Sequence, residues 1–304
     1  RAQGLRAVWQ TSRGTPRGRR VEMPPGETAP SAHEDKLRSL NELQNLGLGI
    51  TTGIVEQVMV QPLLFWKNSF QQGVPFTMSP RVVYRGTAAS CTSMAALTGI
   101  QFISSGYLQK LVAGGEGNRM SWGQEVSCAF LGGAISGPAC CFFELVMIQQ
   151  QRNGGSMPGT ISRIARAHGP LGLMRGLVGA TGREACFTAG YLGCLPATQK
   201  YVRDHVTVVS PEVAQGVGTV AAGLLCGAIT QPLDTAKTCM QGDLERKKYG
   251  SLLGTVRMLV SEYGSVKALY RGYLWRSANI VVDFFLLDYL SRVISGVMFP
   301  DKRR

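Results

Sequence analysis

Long apolar stretches make up most of the chain. Three of them contain no Asp, Glu, Lys or Arg and approach or exceed the roughly 20 residues that a helix needs to cross a bilayer. They are residues 86–109, 126–143 and 213–233. Three further stretches, 43–66, 177–202 and 273–297, are similarly apolar but carry charges such as Glu56, Arg183, Glu184, Arg276 and Asp283. An ionised side chain in hydrocarbon costs about 2.5–3.5 kcal/mol, so the pattern alone also allows the charged stretches to be buried helices of a soluble enzyme.

A threefold internal repeat decides between these two interpretations. Apolar runs that contain Gly end in three similar segments, and each segment ends on Gln: 61–71, 141–151 and 231–241. A second anchor follows each segment, as Tyr84-Arg85-Gly86, Met174-Arg175-Gly176 and Tyr270-Arg271-Gly272. The same 56 residues separate Gly86 from Phe142 and Gly176 from Pro232. Such equal spacing is hard to obtain by chance.

Small residues recur in register before the three segments. Counting back thirteen, nine and five residues from each Pro position gives Gly49, Gly53, Gln57; then Ala129, Gly133, Gly137; then Thr219, Gly223, Gly227. A face of this kind lets helices touch backbone to backbone. Close packing therefore explains much of the high Gly content, 38 of 304 residues.

Composition and charge narrow the class of protein. The net charge is +13, but only 17% of residues are charged and 44% are apolar, which excludes intrinsic disorder of the whole chain. The first twenty residues contain six Arg and no acid. Residues 1–37 are therefore predicted to be a transit-like segment or a basic disordered tail, with nucleic-acid contact as a further alternative. The Cys and His spacings fit neither a zinc site nor a redox pair, and no phosphate-binding motif occurs, so no metal, cofactor or enzyme activity is expected.

At the repeated segments the chain resembles the mitochondrial carrier family, whose signature is P-x-[DE]-x-x-[KR]. The match is strongest at Pro232, Asp234 and Lys237, and the resemblance covers about residues 38–297. It implies an all-α membrane protein of the mitochondrial inner membrane, with six transmembrane helices as three pseudo-symmetric helix pairs around a central cavity. The expected repeats are 38–115, 120–205 and 210–297, followed by a basic C-terminal tail, 298–304.

The resemblance also implies a matrix gate in which the acid of each repeat pairs with the base of the next. Here the pairs are Leu64 with Met147, Glu144 with Lys237, and Asp234 with Lys67, and Gln149 is expected as a bracing glutamine. Leu64 and Met147 replace both partners of one bridge. No charge is then stranded, because an apolar pair takes the place of an ion pair. In the first repeat Pro75 and Pro80 oppose a matrix helix, whereas such helices are expected at about 159–168 and 251–263.

Residues that differ between the repeats are candidates for binding a solute that lacks threefold symmetry. Offsets of four, seven, eight and eleven from each anchor glycine select one helical face. The predicted substrate-binding residues are Ser93, Arg183, Glu184, Arg276, Asn279 and Asp283. Two positive and two negative charges suit a zwitterion, with Arg183 binding a carboxylate and Glu184 or Asp283 an ammonium group. Alternatively, these charges simply satisfy one another. Glu56 and Gln57 are further candidates for lining the cavity.

Two functions of different classes follow. The leading hypothesis is a solute carrier that moves a small charged metabolite, an amino acid in the first instance, by alternating access. The alternative is a non-transporting protein on the same fold, acting as an adaptor or as a subunit of a larger membrane complex. The positions of the outer gate, such as Gln109, Gln199 and Ser291, offer no ion pair and favour the alternative. Expected partners are a small-molecule solute and the lipid bilayer, with cardiolipin at helix termini, and no nucleic acid.

Overall fold

The computed structural model describes residues 40–113, 120–205 and 211–299. The predicted basic segment 1–37 lies outside these residues, as does most of the predicted C-terminal tail. Six long helices dominate: α1 Glu42–Gln72, α3 Thr87–Ala113, α4 Trp122–Asn153, α6 Leu177–His205, α7 Pro211–Gly242 and α9 Tyr273–Met298. Three shorter helices are α2 Pro80–Val83, α5 Met157–His168 and α8 Leu252–Tyr263. The described ranges contain no strand, so the predicted all-α class is confirmed.

Hydropathy and length select α1, α4 and α7 as candidate membrane spans. At about 1.5 Å per residue, a helix of 31 residues such as α1 is about 46 Å long, well beyond a hydrocarbon core of roughly 30 Å. These helices therefore tilt or extend past the bilayer. The helices α1 and α4 start with capping boxes formed by Asn41 with Gln44 and by Ser121 with Gln124.

The six long helices form a closed ring. Each packs on its neighbours in the order α1, α3, α4, α6, α7, α9 and back to α1. In addition, α7 contacts both α1 and α4 across the ring. The first helices of the three pairs therefore converge at one end of the bundle.

Small residues lie where the two helices of each pair meet. Gly53 faces Met94, and Gly223 faces Ile280, so side chains fill these contacts in the first and third pairs. The second pair is closer, because a methyl group added at Gly137 would lie 2.7 Å from Cα of Thr181. Backbone-to-backbone contact was predicted for all three faces, but in these positions only the second pair shows it.

The three anchor glycines have left-handed backbones, with φ of 87° at Gly86, 83° at Gly176 and 75° at Gly272. A side chain there is strained by the backbone itself. A methyl group at Gly86 would also lie 2.9 Å from Cγ of Met147. Methyl groups at Gly176 and Gly272 would meet Lys237 and Lys67, respectively. Each anchor glycine thus contacts the base position of the following repeat, which explains why the motif recurs.

The predicted matrix helices of the second and third repeats are confirmed as α5 and α8. In the first repeat only the single turn α2 forms, and Pro80 is its first residue. Four aromatic rings occupy the neighbouring space, with Trp66 4.9 Å from Trp275 and 5.6 Å from Phe76 between ring centroids, and with Phe70 6.0 Å from Trp275. The short segment is therefore held by rings and not by an amphipathic helix.

Prolines lie inside all three convergent helices. Pro62 and Pro232 occupy the expected positions of α1 and α7. In α4, Phe142 stands at the equivalent position, but Pro138 lies one turn earlier. The sequence comparison between repeats did not single out Pro138. Each of these prolines removes one backbone donor from its helix, so all three helices have a local break in their hydrogen-bond ladder.

Candidate functional site

Two ion pairs lie at the convergent end of α1, α4 and α7. Nζ of Lys67 is 2.8 Å from Oδ2 of Asp234, and Nζ of Lys237 is 2.5 Å from Oε2 of Glu144. These are the pairs expected from the sequence. The side chains of Asp234 and Lys237 are each only 1% exposed. Because buried charges need partners, both acids and both bases are satisfied by contacts between different repeats.

The third contact between repeats is apolar. Met147 belongs to a buried cluster with Ala89, Val146 and Ile148, and Leu64 packs against this cluster. At the position of the third ion pair the structure therefore has an apolar cluster of α3 and α4, against which Leu64 of α1 packs. No ionic partner is required on this side of the ring.

Arg183 of α6 joins the two ion pairs into one network. Its Nη2 lies 3.1 Å from Oε1 of Glu144 and 2.9 Å from Oε2 of Glu184, and its Nε lies 3.4 Å from Oδ1 of Asp234. Lys237 also lies 3.3 Å from Asp234. The sequence treated Arg183 as a substrate residue and the other charges as a gate, whereas the structure brings both groups together.

Arg276 of α9 is bound mainly by neutral groups. Its Nη1 donates to Oε1 of Gln231 at 3.0 Å, and its Nη2 donates to Oγ1 of Thr230 at 2.8 Å. Within the described residues, its ionic contact is with Asp234, at 3.9 Å. Its guanidinium group also lies over the ring of Phe187, 5.9 Å from the centroid. Arg276 is thus less neutralised than Lys67, Lys237 or Arg183.

Glu184 has partners that the sequence offsets missed. Nε2 of Gln101 lies 3.2 Å from Oε1 of Glu184 and 3.1 Å from Oγ of Ser136, and Sγ of Cys140 lies 3.8 Å from Oε2 of Glu184. Gln101 is four residues beyond Leu97, so it lies on the helical face that the offsets had selected. Extending that face by one turn would have identified it.

A cavity of about 140 Å³ lies next to the charge network. It is lined by Leu64, Lys67, Glu144, Arg183, Glu184, Phe187, Tyr191, Thr219, Val220, Gly223, Asp234, Arg276, Asn279, Ile280, Asp283, Phe284 and Leu287. Most of these residues belong to α6, α7 and α9. Asn279 donates a hydrogen bond to Asp283 one turn away. Five of the six predicted substrate residues therefore share one cavity.

Ser93 is the exception. It is buried but does not line this cavity, and its neighbour Met94 packs against Gly53 of α1. The prediction assumed a cavity on the axis of three equal repeats, whereas the observed one lies towards the second and third repeats. Glu56 and Gln57 are buried and are likewise absent from its lining.

The predicted brace at Gln149 also needs correction. Its Nε2 donates to the carbonyl oxygen of Gln241 at 2.7 Å and so binds the end of α7. Gln71 contacts the ion pair instead, because its Nε2 donates to Oδ2 of Asp234 at 2.8 Å. The signal was present in the sequence, since Gln71 and Gln241 end two of the three repeated segments at the same offset.

In the loop after α7, backbone N–H groups hold the side chain of Asp243 in place. Asp243 accepts hydrogen bonds from the backbone N–H groups of Lys247, Lys248 and Tyr249. Burial alone would raise the pKa of Asp243, but these hydrogen bonds prevail and hold the pKa below its usual value. Nε of Arg175 donates to the backbone oxygen of Asp243 at 2.9 Å. The loop thereby connects the start of α6 to the end of α7.

A closed ring of six helices in three pairs, with a cavity lined by paired buried charges, is the arrangement that the resemblance to the mitochondrial carrier family implies. Residues 211–297 match the family described as "Mitochondrial carrier protein". This match, together with the relatives described next, supports the chain as a member of the mitochondrial carrier family, whose members are multi-pass transporters of the mitochondrial inner membrane and not enzymes. The protein is therefore a carrier-type transporter.

Several relatives are carriers of known names. The chain is 28% identical over 300 residues to a tricarboxylate transporter of Gibberella moniliformis, covering 90% of this chain and 94% of the relative. It is 26% identical to a probable mitochondrial 2-oxodicarboxylate carrier of Dictyostelium discoideum, covering 76% and 82%. It is 29% identical to a mitochondrial glycine transporter of Xenopus tropicalis, covering 46% and 47%. None of these three is named as an adaptor or structural subunit.

Proposed function

We propose that the protein carries a small amino acid across the inner membrane by alternating access, and that Arg276 binds the carboxylate of the solute. The observation that carries this proposal is the pairing of Arg276 with the neutral oxygens of Gln231 and Thr230, at 3.0 and 2.8 Å. A guanidinium group with neutral partners can accept a carboxylate bidentately without displacing an existing close ion pair. Arg183 was first expected in this role, but it already contacts Glu144 and Glu184.

The charge balance of the site supports a zwitterion. The cavity is lined by three cations, Lys67, Arg183 and Arg276, and by the acids Glu144, Glu184, Asp234 and Asp283. Lys237 pairs with Glu144 beside them, which makes four cations and four acids. A solute with one positive and one negative group keeps this balance, whereas an unpaired buried charge is costly. Glu184 or Asp283 provides the carboxylate for the ammonium group.

Asp234 connects solute binding with opening of the gate. A solute carboxylate bound to Arg276 competes with Asp234 for that guanidinium group. Asp234 also contacts Lys67 and Arg183, so the competition affects the whole network. Weakening this network loosens the contacts between α1, α4 and α7 that close the convergent end. The solute then binds the open state more tightly than the closed state. This difference in affinity is what shifts the population towards the open state.

A dicarboxylate or tricarboxylate is the second candidate. The tricarboxylate transporter and the probable 2-oxodicarboxylate carrier described above are named for such solutes. A solute with two or three carboxylates would need further cations, and in the described residues Lys67, Lys237 and Arg183 each have a carboxylate within about 3.1 Å. The two candidates therefore differ in how much of the existing network the solute must displace.

Exchange in liposomes separates the candidates. Purified protein is reconstituted and tested with glycine, serine and aspartate, with 2-oxodicarboxylates and with tricarboxylates. We expect exchange of amino acids, loss of exchange in Arg276→Gln and partial retention in Arg276→Lys. Arg257→Gln is the matched control, because Arg257 is exposed on α8.

Other outcomes are equally informative. Preference for tricarboxylates, again lost in Arg276→Gln, would replace the first candidate by the second. Unchanged exchange in Arg276→Gln would remove Arg276 from the site. No exchange of any class by folded protein, with tight co-purification of a membrane complex, would support the non-transporting alternative.

A further inference from the structure

Two cysteines meet across the interface between α6 and α7. Cys226 is 1% exposed and belongs to a buried cluster with Tyr191, Leu195 and Ala222. Cys194 packs against this cluster and is itself partly exposed. Cys194 of α6 and Cys226 of α7 therefore belong to one packed group of side chains. Both are free cysteines, so the structure holds the reduced pair.

The helix backbones approach closely at this point. Gly190 lies one turn before Cys194 on α6, and a methyl group added there would be 3.2 Å from Sγ of Cys226. A disulfide needs its two Cβ atoms about 3.5–4.5 Å apart, which requires such a close approach. Other buried thiols are engaged differently, because Cys141 and Cys239 contact the backbone oxygens of Arg175 and Gln71 at 3.4 and 3.2 Å.

The pair borders the solute cavity. Tyr191, three residues before Cys194, lines the cavity, and so does Gly223, three residues before Cys226. A small, uncharged oxidant that enters the cavity therefore comes within one helical turn of both thiols. Cys194 reacts first, since it is the more exposed of the two.

We propose that Cys194 and Cys226 form a reversible disulfide that locks the second repeat to the third and stops transport. The oxidant is a hydroperoxide. The sulfur of Cys194 attacks the peroxide oxygen, the O–O bond breaks, and Cys194 becomes a sulfenic acid with release of water or alcohol. The thiol of Cys226 then attacks this sulfur, the S–O bond breaks, and water leaves as the S–S bond forms. Two thiols are oxidised and one peroxide is reduced, and a dithiol reductant reverses the change.

The inhibitory effect follows from the position of the bond. The cavity is lined mainly by α6, α7 and α9. A covalent link between α6 and α7 fixes two of its walls, whereas alternating access requires the repeats to move relative to one another. The formation of the disulfide can be measured without any solute, so it is independent of the proposed amino-acid substrate.

Counting thiols tests the chemistry. Full-length protein in liposomes is treated with hydrogen peroxide, then denatured and labelled with a maleimide. We expect two fewer reactive thiols than the eight of the reduced protein, and peptides containing Cys194 and Cys226 joined until dithiothreitol is added. Cys194→Ser and Cys226→Ser should abolish the linked peptides. Cys186→Ser, at an exposed position of α6, should leave them unchanged.

Two results would overturn the proposal. Joined peptides of other cysteines, or unchanged thiol counts in wild type, would exclude this disulfide. If the disulfide forms but exchange of the transported solute continues at its former rate, the locking effect is wrong. For a readout without solute, peroxide should raise the unfolding temperature of wild type but not of Cys194→Ser, because a disulfide restricts the unfolded chain.

Discussion

The contacts between repeats lie at equivalent positions, but one of them is apolar and the others are ionic. Leu64 and Met147 meet in a buried apolar cluster, whereas Lys67 pairs with Asp234 across an equivalent position. The backbone around both is the same, since Gly86 abuts Met147 as Gly272 abuts Lys67. The ring therefore needs a close contact at each position, but a charge at only some of them.

This chemical difference determines how each contact responds to a charged solute. The apolar contact gains stability from burial alone and has no dependence on a charged solute. The ionic contacts share Asp234 with Arg183 and Arg276, which also line the cavity. A solute that binds these arginines acts directly on the ionic side, whereas on the apolar side Leu64 lines the cavity and Met147 does not. We expect the gate to open unevenly, with the ionic contacts of α7 responding to the solute before the apolar contact near Met147.

The largest effect should come from breaking the ionic side. Asp234→Asn removes the charge that contacts Lys67, Lys237 and Arg183. Leaving buried charges without a partner costs about 3–5 kcal/mol, so we expect a large fall in the unfolding temperature in detergent. Glu245→Gln is the matched control, because the side chain of Glu245 is 59% exposed. A fall no larger than that of the control would show that the network is not stabilised by Asp234.

A charge-reversal cycle tests the partner of Asp234. The double variant Lys67→Asp/Asp234→Lys should be more stable than either single variant, because the pair is restored. The rescue should be partial, since Asp234 also contacts Lys237 and Arg183. Thermal unfolding of all four proteins gives the coupling free energy. A double effect equal to the sum of the two single effects would mean that these residues do not form a pair.

The next largest effect on stability should come from converting the apolar contact into an ionic one. Met147→Lys alone places a charge inside a buried apolar cluster, and Leu64→Glu alone places one against it, so each should lower stability, Met147→Lys by several kcal/mol. The double variant should recover much of this loss. A lysine fits at the position of Met147, because Lys237 occupies the same place beneath Gly176. Equal unfolding temperatures of the double variant and the worse single variant would argue against a shared contact.

A smaller effect should follow from Gly86→Ala, which tests the close approach behind Met147. The strained backbone and the contact with Met147 together should cost about 1–3 kcal/mol. Gly47→Ala is the control, since a methyl group there would meet nothing within 4 Å. Thermal unfolding should separate the two variants clearly. Comparable unfolding temperatures would remove the close contact as the reason for this glycine.

The smallest effect concerns the loop at the end of α7. The lowered pKa of Asp243 means that its ionised form stabilises the fold at neutral pH, and that this contribution is lost as the pH falls below the usual Asp value of 3.8. Asp243→Asn should lose under about 1 kcal/mol, because the loop is partly solvated. Its difference from wild type should be present at pH 7 and shrink towards pH 3. A constant difference would exclude this titration.

The repeat made much of the fold predictable. Equal spacing placed the bases Lys67 and Lys237 at equivalent positions, and likewise the acids Glu144 and Asp234. The resemblance to the mitochondrial carrier family then implied which acid pairs with which base. The reach of Arg183 could not be predicted in this way, because it depends on how α6 packs against α4 and α7. Ser93 does not line the cavity for a related reason. A symmetric sequence pattern does not imply that the cavity lies on the symmetry axis.

The apolar pair also has a consequence for how this sequence can change over generations. A single mutation that restores an acid at Leu64 or a base at Met147 creates a buried charge whose counterpart is missing. Both mutations must therefore be present before either is tolerated. Loss of the bridge is accordingly hard to reverse, and descendants of this chain are expected to vary among hydrophobic residues at both positions together.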